Sequence, residues 1–117
     1  MQKFNQLDTF TKADVMAAID RDTPDELLYV PVAVSLNGPD LVWATTICIR
    51  LASHDHALVR GNAVLGFGHL ARRGADLPKK QVIPLVKEAL HHTDDFVCHQ
   101  ATAAADDLRL FLGWKIE

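Results

Sequence analysis

Sliding the sequence along itself by 38 residues lays one apolar stripe on another, and that coincidence restricts the fold more than any single residue does. Leu58, Val59, Ala63, Gly66 and Leu70 fall on Phe96, Val97, Ala101, Ala104 and Leu108. Counted from Val59, the positions run i, i+4, i+7, i+11, which is one stripe of an α-helix. The middle residues are small in both copies, so a neighbouring helix can approach closely. The same shift sets Ile47, Cys48, Leu51 and Ala52 on Leu85, Val86, Ala89 and Leu90, and His54 on His92. Two helices joined by a short turn, repeated in this way, describe a helical hairpin that stacks on copies of itself.

Punctuation along the chain agrees, dividing it into about six helical segments. Thr11-Lys12-Ala13-Asp14 reads as an N-cap with an acid three residues on, opening a helix to about Asp20. Thr23-Pro24-Asp25-Glu26 opens a second, with proline at the first helical position and acids at the positive end of the dipole. That segment is rich in β-branched residues, which leaves strand as a second reading. Pro31 argues against a central strand and predicts a kink if the segment is helical. A third segment runs from Pro39 to about Ala52. A fourth opens at Asp55 or His56 and ends at Arg72-Arg73-Gly74, and a fifth runs from Pro78 to His92, kinked or restarted at Pro84. The sixth spans about Asp94 to Leu112 and stops at Gly113. No Gly- or Pro-rich linker separates them, so one domain over residues 1–117 is expected.

These residues resemble a known family. His54 to Leu70 is similar to the second helix of a HEAT repeat, whose pattern has an Asp in the turn, then Val-Arg, an Ala four residues after the Val, and Leu-Gly farther on. Here those are Asp55, Val59-Arg60, Ala63 and Leu65-Gly66. The last copy keeps Val97 and Ala101 but carries Cys98 where the Arg would fall, and Pro84 sits where HEAT first helices commonly hold a proline. The resemblance covers residues 39–112 and is weak over 11–37, read as a degenerate first hairpin that caps the stack. It implies an all-α fold, a short right-handed α-solenoid of about three hairpins (11–37, 39–74, 78–112). The competing expectation is a non-repeating six-helix bundle. Tetratricopeptide and ankyrin signatures are absent from the sequence.

Composition bounds the partners. Hydrophobic residues make up 49% and charged residues 23%, a globular balance. The net charge is −3 and the cations are scattered, with short pairs at Arg72-Arg73 and Lys79-Lys80, which disfavours direct nucleic-acid binding. No apolar run approaches the ~20 residues of a membrane span, and the first residues lack a signal-peptide core. A cytoplasmic protein that engages no membrane is therefore expected. Cys48 and Cys98 each lie in an apolar helical stretch and read as buried structural thiols.

Few residues point to chemistry. His54 and His56 flank Asp55, and His91-His92 precede Asp94-Asp95, so imidazoles and carboxylates share equivalent turns, the residue types that ligate zinc. The plainer reading is that His favours the negative end of one helix and Asp begins the next. No established ligand spacing occurs, and neither metal nor cofactor is expected. Ser35 and Ser53 lack a nucleophile-elbow setting, and His99, adjacent to Cys98, points about 100° away on a helix. Gly61, Gly66 and Gly68 fall inside a helix, where close packing explains them better than a ligand. Asp20, Asp22, Asp25 and Glu26 form an acidic cluster at the first hairpin's turn, read as a solvated cap.

The outer side of the last helix is more informative. Phe96, His99, Asp106, Asp107 and Leu110, with Trp114 just beyond, mix aromatic, aliphatic and acidic groups where a terminal repeat needs a polar surface. Such a mixture fits a protein-binding patch, unless Trp114-Lys115-Ile116 folds back over it. HEAT-like proteins serve as binding surfaces, and small bacterial proteins of this kind resemble immunity proteins that neutralise a cognate toxin, for instance a nuclease. The leading expectation is a non-enzymatic immunity protein, as monomer or weak homodimer. The alternatives are an assembly scaffold that homodimerises, and a ligand-binding or lyase-type HEAT protein similar to bilin lyases or base-excision glycosylases.

Overall fold

A computed structural model of the protein describes Phe4 and residues 8–116, all helix and turn with no strand among them. The helices are α1 (Lys12–Arg21), α2 (Pro24–Leu27), α3 (Tyr29–Asn37), α4 (Leu41–Leu51), α5 (Ala57–Arg72), α6 (Lys79–Leu90) and α7 (Asp95–Leu112).

Local chemistry sets the boundaries. Thr11 and Asp14 form a reciprocal capping box: the Asp14 N–H donates to Thr11 Oγ1 at 3.0 Å and the Thr11 N–H to Asp14 Oδ2 at 2.9 Å. Asp40 and Asp94 cap α4 and α7 by accepting from Trp43 N and Val97 N. Gly74 and Gly113, with φ of +88° and +70°, turn the chain in the left-handed region after α5 and α7.

The second segment is divided, giving one more helix than the sequence pattern suggests. Pro31 has no N–H to offer the Leu27 carbonyl, and the helix breaks at Leu28, between α2 and α3. At the break, the Asn62 side chain donates to the Leu28 carbonyl at 3.0 Å. Pro84 behaves differently from the expected restart. It lies on the exposed side of α6, which continues unbroken through it.

Pairs of contacts show how the helices run. Asn62 reaches Leu28 and Gly66 abuts Ser35, so α3 and α5 are parallel. Gly61 lies under Phe96 and Gly68 beside Asp107, so α5 and α7 are parallel too. Lys12 meets Asp40 at one end of α1 and α4, while Asp22 meets His54 at the other. Helices α3, α5 and α7 thus form one layer, with α4 and α6 joined to it as the first arms of two hairpins. The thinnest dimension of the molecule, 19 Å, is that of two helix layers.

The core lies between the layers. Val59, Ala63 and Leu70 of α5 and Val97, Ala101 and Leu108 of α7 are all 0% exposed, as the shared stripe requires. Glycines let α5 sit this deep. A Cβ on Gly61 would stand 2.7 Å from the Phe96 ring, and one on Gly66 would stand 2.8 Å from Cys48 Sγ. Burial pushes the Cys48 thiol up to about 12, so it stays protonated and acts as a small hydrophobe.

Glu26 departs from the solvated cap expected of its neighbours. It is 2% exposed, whereas Asp20, Asp22 and Asp25 face solvent. Arg21 grips it through two bonds, Nε–Oε1 at 2.7 Å and an NH2–Oε2 bond at 3.0 Å, and the Phe4 N–H donates to Oε2 at 2.5 Å. The Glu26 carboxylate in turn raises the Arg21 pKa. A fork of this kind satisfies a carboxylate that hydrophobic neighbours would otherwise expel.

Candidate protein-binding face

The outward side of the α3–α5–α7 layer carries one stripe per helix. On α5 it is Leu58, Asn62, Leu65, His69 and Arg72, and on α7, shifted by the repeat, it is Phe96, Gln100, Ala103, Asp107 and Leu110. Tyr29, Val32 and Leu36 continue it on α3. Tyr29, Leu36, Leu58 and Leu110 are among the large hydrophobics that remain exposed, Leu110 at 68%. Exposed apolar groups that share one face mark interaction surfaces more often than singly scattered ones do.

Polar groups on this face are already engaged. Gln100 donates to Asn62 Oδ1 at 3.0 Å while Asn62 donates to the Leu28 carbonyl, a line that ties the three helices together. Farther along, a guanidinium nitrogen of Arg72 lies 2.8 Å from His69 Nδ1. Burial holds the His69 imidazole below its ordinary pKa; Arg72 pushes the same way and Asp107 opposes both. His69 is accordingly neutral at pH 7, with Nδ1 accepting from the guanidinium.

The residues singled out on the last helix are distributed over two sides of it. Phe96 and Asp107 lean onto α5, where Gly61 and Gly68 make room for them, and Leu110 stands beside them on the layer face. His99 and Asp106 are exposed toward the end of the stack. Trp114 folds back with Ile116 against the core, Lys79 Nζ standing 5.7 Å from the Trp114 ring, and both line a hollow with Ala105, Asp106 and Arg109. The single patch drawn from sequence is therefore two neighbouring surfaces. Tyr29, Leu36, Leu58 and Leu65 extend the layer face beyond the residues that the pattern on the last helix singles out. The repeat itself held the signal, since the 38-residue shift that carries Leu58 to Phe96 also carries Leu65 to Ala103 and Arg72 to Leu110.

The histidine turns have a structural use. His54 Nδ1 accepts from the His56 N–H at 3.0 Å, and 38 residues on, His92 Nδ1 accepts from the Asp94 N–H at 3.0 Å. His56 Nδ1 accepts from Leu58 N at the start of α5, and His54 Nε2 lies 2.7 Å from Asp22 Oδ1. These imidazoles serve as caps and a tie between hairpins, and no group of three metal-ligating side chains occurs among the described residues. Treatment with a chelator is expected to leave the melting temperature unchanged. A drop that disappears in His54→Ala/His92→Ala would instead reveal a bound ion.

Neither a protein family nor a curated protein matches the sequence. Among solved structures, the fold is similar to that of a chain in the crystal structure of a CDI complex from Cupriavidus taiwanensis LMG 19424. The TM-score is 0.74 at 23% identity, and the match covers 95% of this chain and 98% of that one. The likeness is one of fold, and it runs the length of both chains. No helix among the described residues is long and apolar enough to cross a membrane.

Proposed function

We propose that this protein is a non-enzymatic binder, an immunity protein that holds a cognate toxin domain inactive. The observation that carries the reading is the end-to-end likeness to a chain from a CDI complex. CDI, contact-dependent inhibition, denotes a toxin-and-immunity system. In that setting the chain is a short solenoid of three HEAT-like hairpins whose helix layer presents a surface to the toxin. Immunity rather than toxin is favoured by how the reactive groups are used. The histidines of the turns cap backbone N–H groups, His69 is held neutral beside Arg72, and Cys48 is a buried thiol. Phe96, His99, Asp106, Asp107, Leu110 and Trp114 are the proposed partner-contacting residues of the last hairpin.

The test is co-expression with the C-terminal domain of the protein encoded immediately upstream. That domain alone should arrest growth, and this chain should restore it and co-purify with it in equal stoichiometry. Restoration should fail with a Leu110→Asp/Trp114→Ala variant that still melts cooperatively. Growth arrest unrelieved by the wild-type chain sinks the immunity reading, and turnover of a substrate by the purified protein sinks the binder reading altogether.

A further inference from the structure

Resting on that immunity reading, we infer that the partner presents an apolar surface flanked by cations, and that it seats on the outward face of α3, α5 and α7. Its cations then lie over the edge where those helices begin. Three features of the molecule converge on this edge of the layer.

The first is apolar. Tyr29, Leu58 and Phe96 occupy the first or second residue of α3, α5 and α7, side by side because the helices are parallel. Tyr29 and Leu58 are 37% and 39% exposed, enough to anchor a partner while their stems stay packed. The second is that the polar groups between them are already tied to the protein. Gln100 donates to Asn62 Oδ1 and Asn62 donates to the Leu28 carbonyl, so covering this part of the face strands neither of those bonds.

The third is charge. Asp20, Asp22, Asp25, Asp55 and Asp95 are exposed at the turns along this edge. Asp22 is paired with His54. Of the cations near these acids, Arg21 is committed to the buried Glu26 and Arg60 to Glu88 at 2.8 Å, and Arg50 and Lys87 stand exposed at the ends of α4 and α6. The opposite edge carries the cations Arg72, Lys79, Lys80 and Arg109, offset in part by Asp76, Asp106 and Asp107. The face is thus polarised along its helices, which selects a basic partner surface and fixes which way round it docks. Acids at the rim of an apolar patch steer the encounter, while the apolar centre sets how long the complex lasts.

The experiment uses the purified full chain and the purified C-terminal domain of the upstream-encoded protein, with binding followed in real time. Leu58→Asp should raise Kd about tenfold or more, chiefly through faster dissociation. Asp20→Asn/Asp55→Asn/Asp95→Asn should slow association about tenfold at low salt, with the difference closing near about 0.5 M salt. Melting curves of both variants should stay close to wild type, since all four side chains are exposed. If wild type binds and neither variant changes the kinetics, the inference is overturned while the immunity reading stands. The same holds if losses are confined to Asp106→Asn and Trp114→Ala, which places the contact at the end of the stack. If the bound domain proves acidic on its contact surface, the charge assignment fails. If wild type does not bind at all, the immunity reading falls and takes this inference with it.

Discussion

Phe67→Ala is expected to lower stability by about 3–5 kcal/mol, the range for emptying a buried aromatic site. Phe67 is 0% exposed and heads the fully buried side chains by size. It sits on α5, the helix in contact with α3, α4, α6 and α7, so no single neighbour can move in to fill the hole without leaving another. Against a total of about 5–15 kcal/mol for a domain of ordinary stability, that loss is a large fraction. The melting temperature should fall by roughly 10–20 °C. A shift of only a few degrees would mean that the two layers close over the site, and that α5 is less confined than its glycines imply.

Phe67 also shows where the repeat stops being a repeat. Its counterpart one period on is Ala105, which is only half-buried. In the middle hairpin the position is enclosed, and a large ring fills it. On α7 no further helix among the described residues covers the position, and the tail does so instead: Gly113 reverses the backbone, and Trp114 and Ile116 line the hollow beside Ala105. A small residue at the helix and an aromatic in the tail together do what one phenylalanine does inside.

What the sequence made legible follows the same division. The α5 and α7 stripes were readable because burial repeats with helical period: Val59, Ala63, Gly66 and Leu70 and their counterparts on α7 are buried, while Leu58 and Phe96 at the head of the stripe are not. Helix starts were readable where a short polar side chain bonds its own backbone, as at Thr11 and Asp94, whereas the Asp40 cap of α4 lies one residue past the Pro39 start that the pattern suggests. The role of Glu26 was not readable, because three of its bonds come from Arg21 and from Phe4, 22 residues away. Composition shows an acid among acids, and only the fold decides which one is enclosed. The layer face was half readable. Its α7 members stood out as apolar groups on a helix expected to be capped. Leu58 and Leu65, one repeat earlier, looked like ordinary core until the exposed side of α5 could be seen.

The seam itself offers the second large effect. Ala63→Leu and Ala101→Leu should each destabilise by about 1–3 kcal/mol, because added methylenes in a filled core force neighbours off their rotamers. Both alanines are 0% exposed, one on α5 and one on α7, and those two helices share the most extensive contact in the molecule. The approach is already close: Gly61 and Gly68 leave no room for a Cβ between the backbone of α5 and the α7 side chains. Leucine has slightly lower helix propensity than alanine, so no local gain offsets the crowding. Melting temperatures should fall by about 4–12 °C for each variant. Because the two sites occupy equivalent places in one interface, the double variant should depart from additivity. Leu58→Ala, on the exposed side of the same helix, is the control and should cost less than either. If Ala63→Leu melts with wild type while Leu58→Ala does not, the buried and outward sides of α5 have been assigned the wrong way round, and the binding face goes with them.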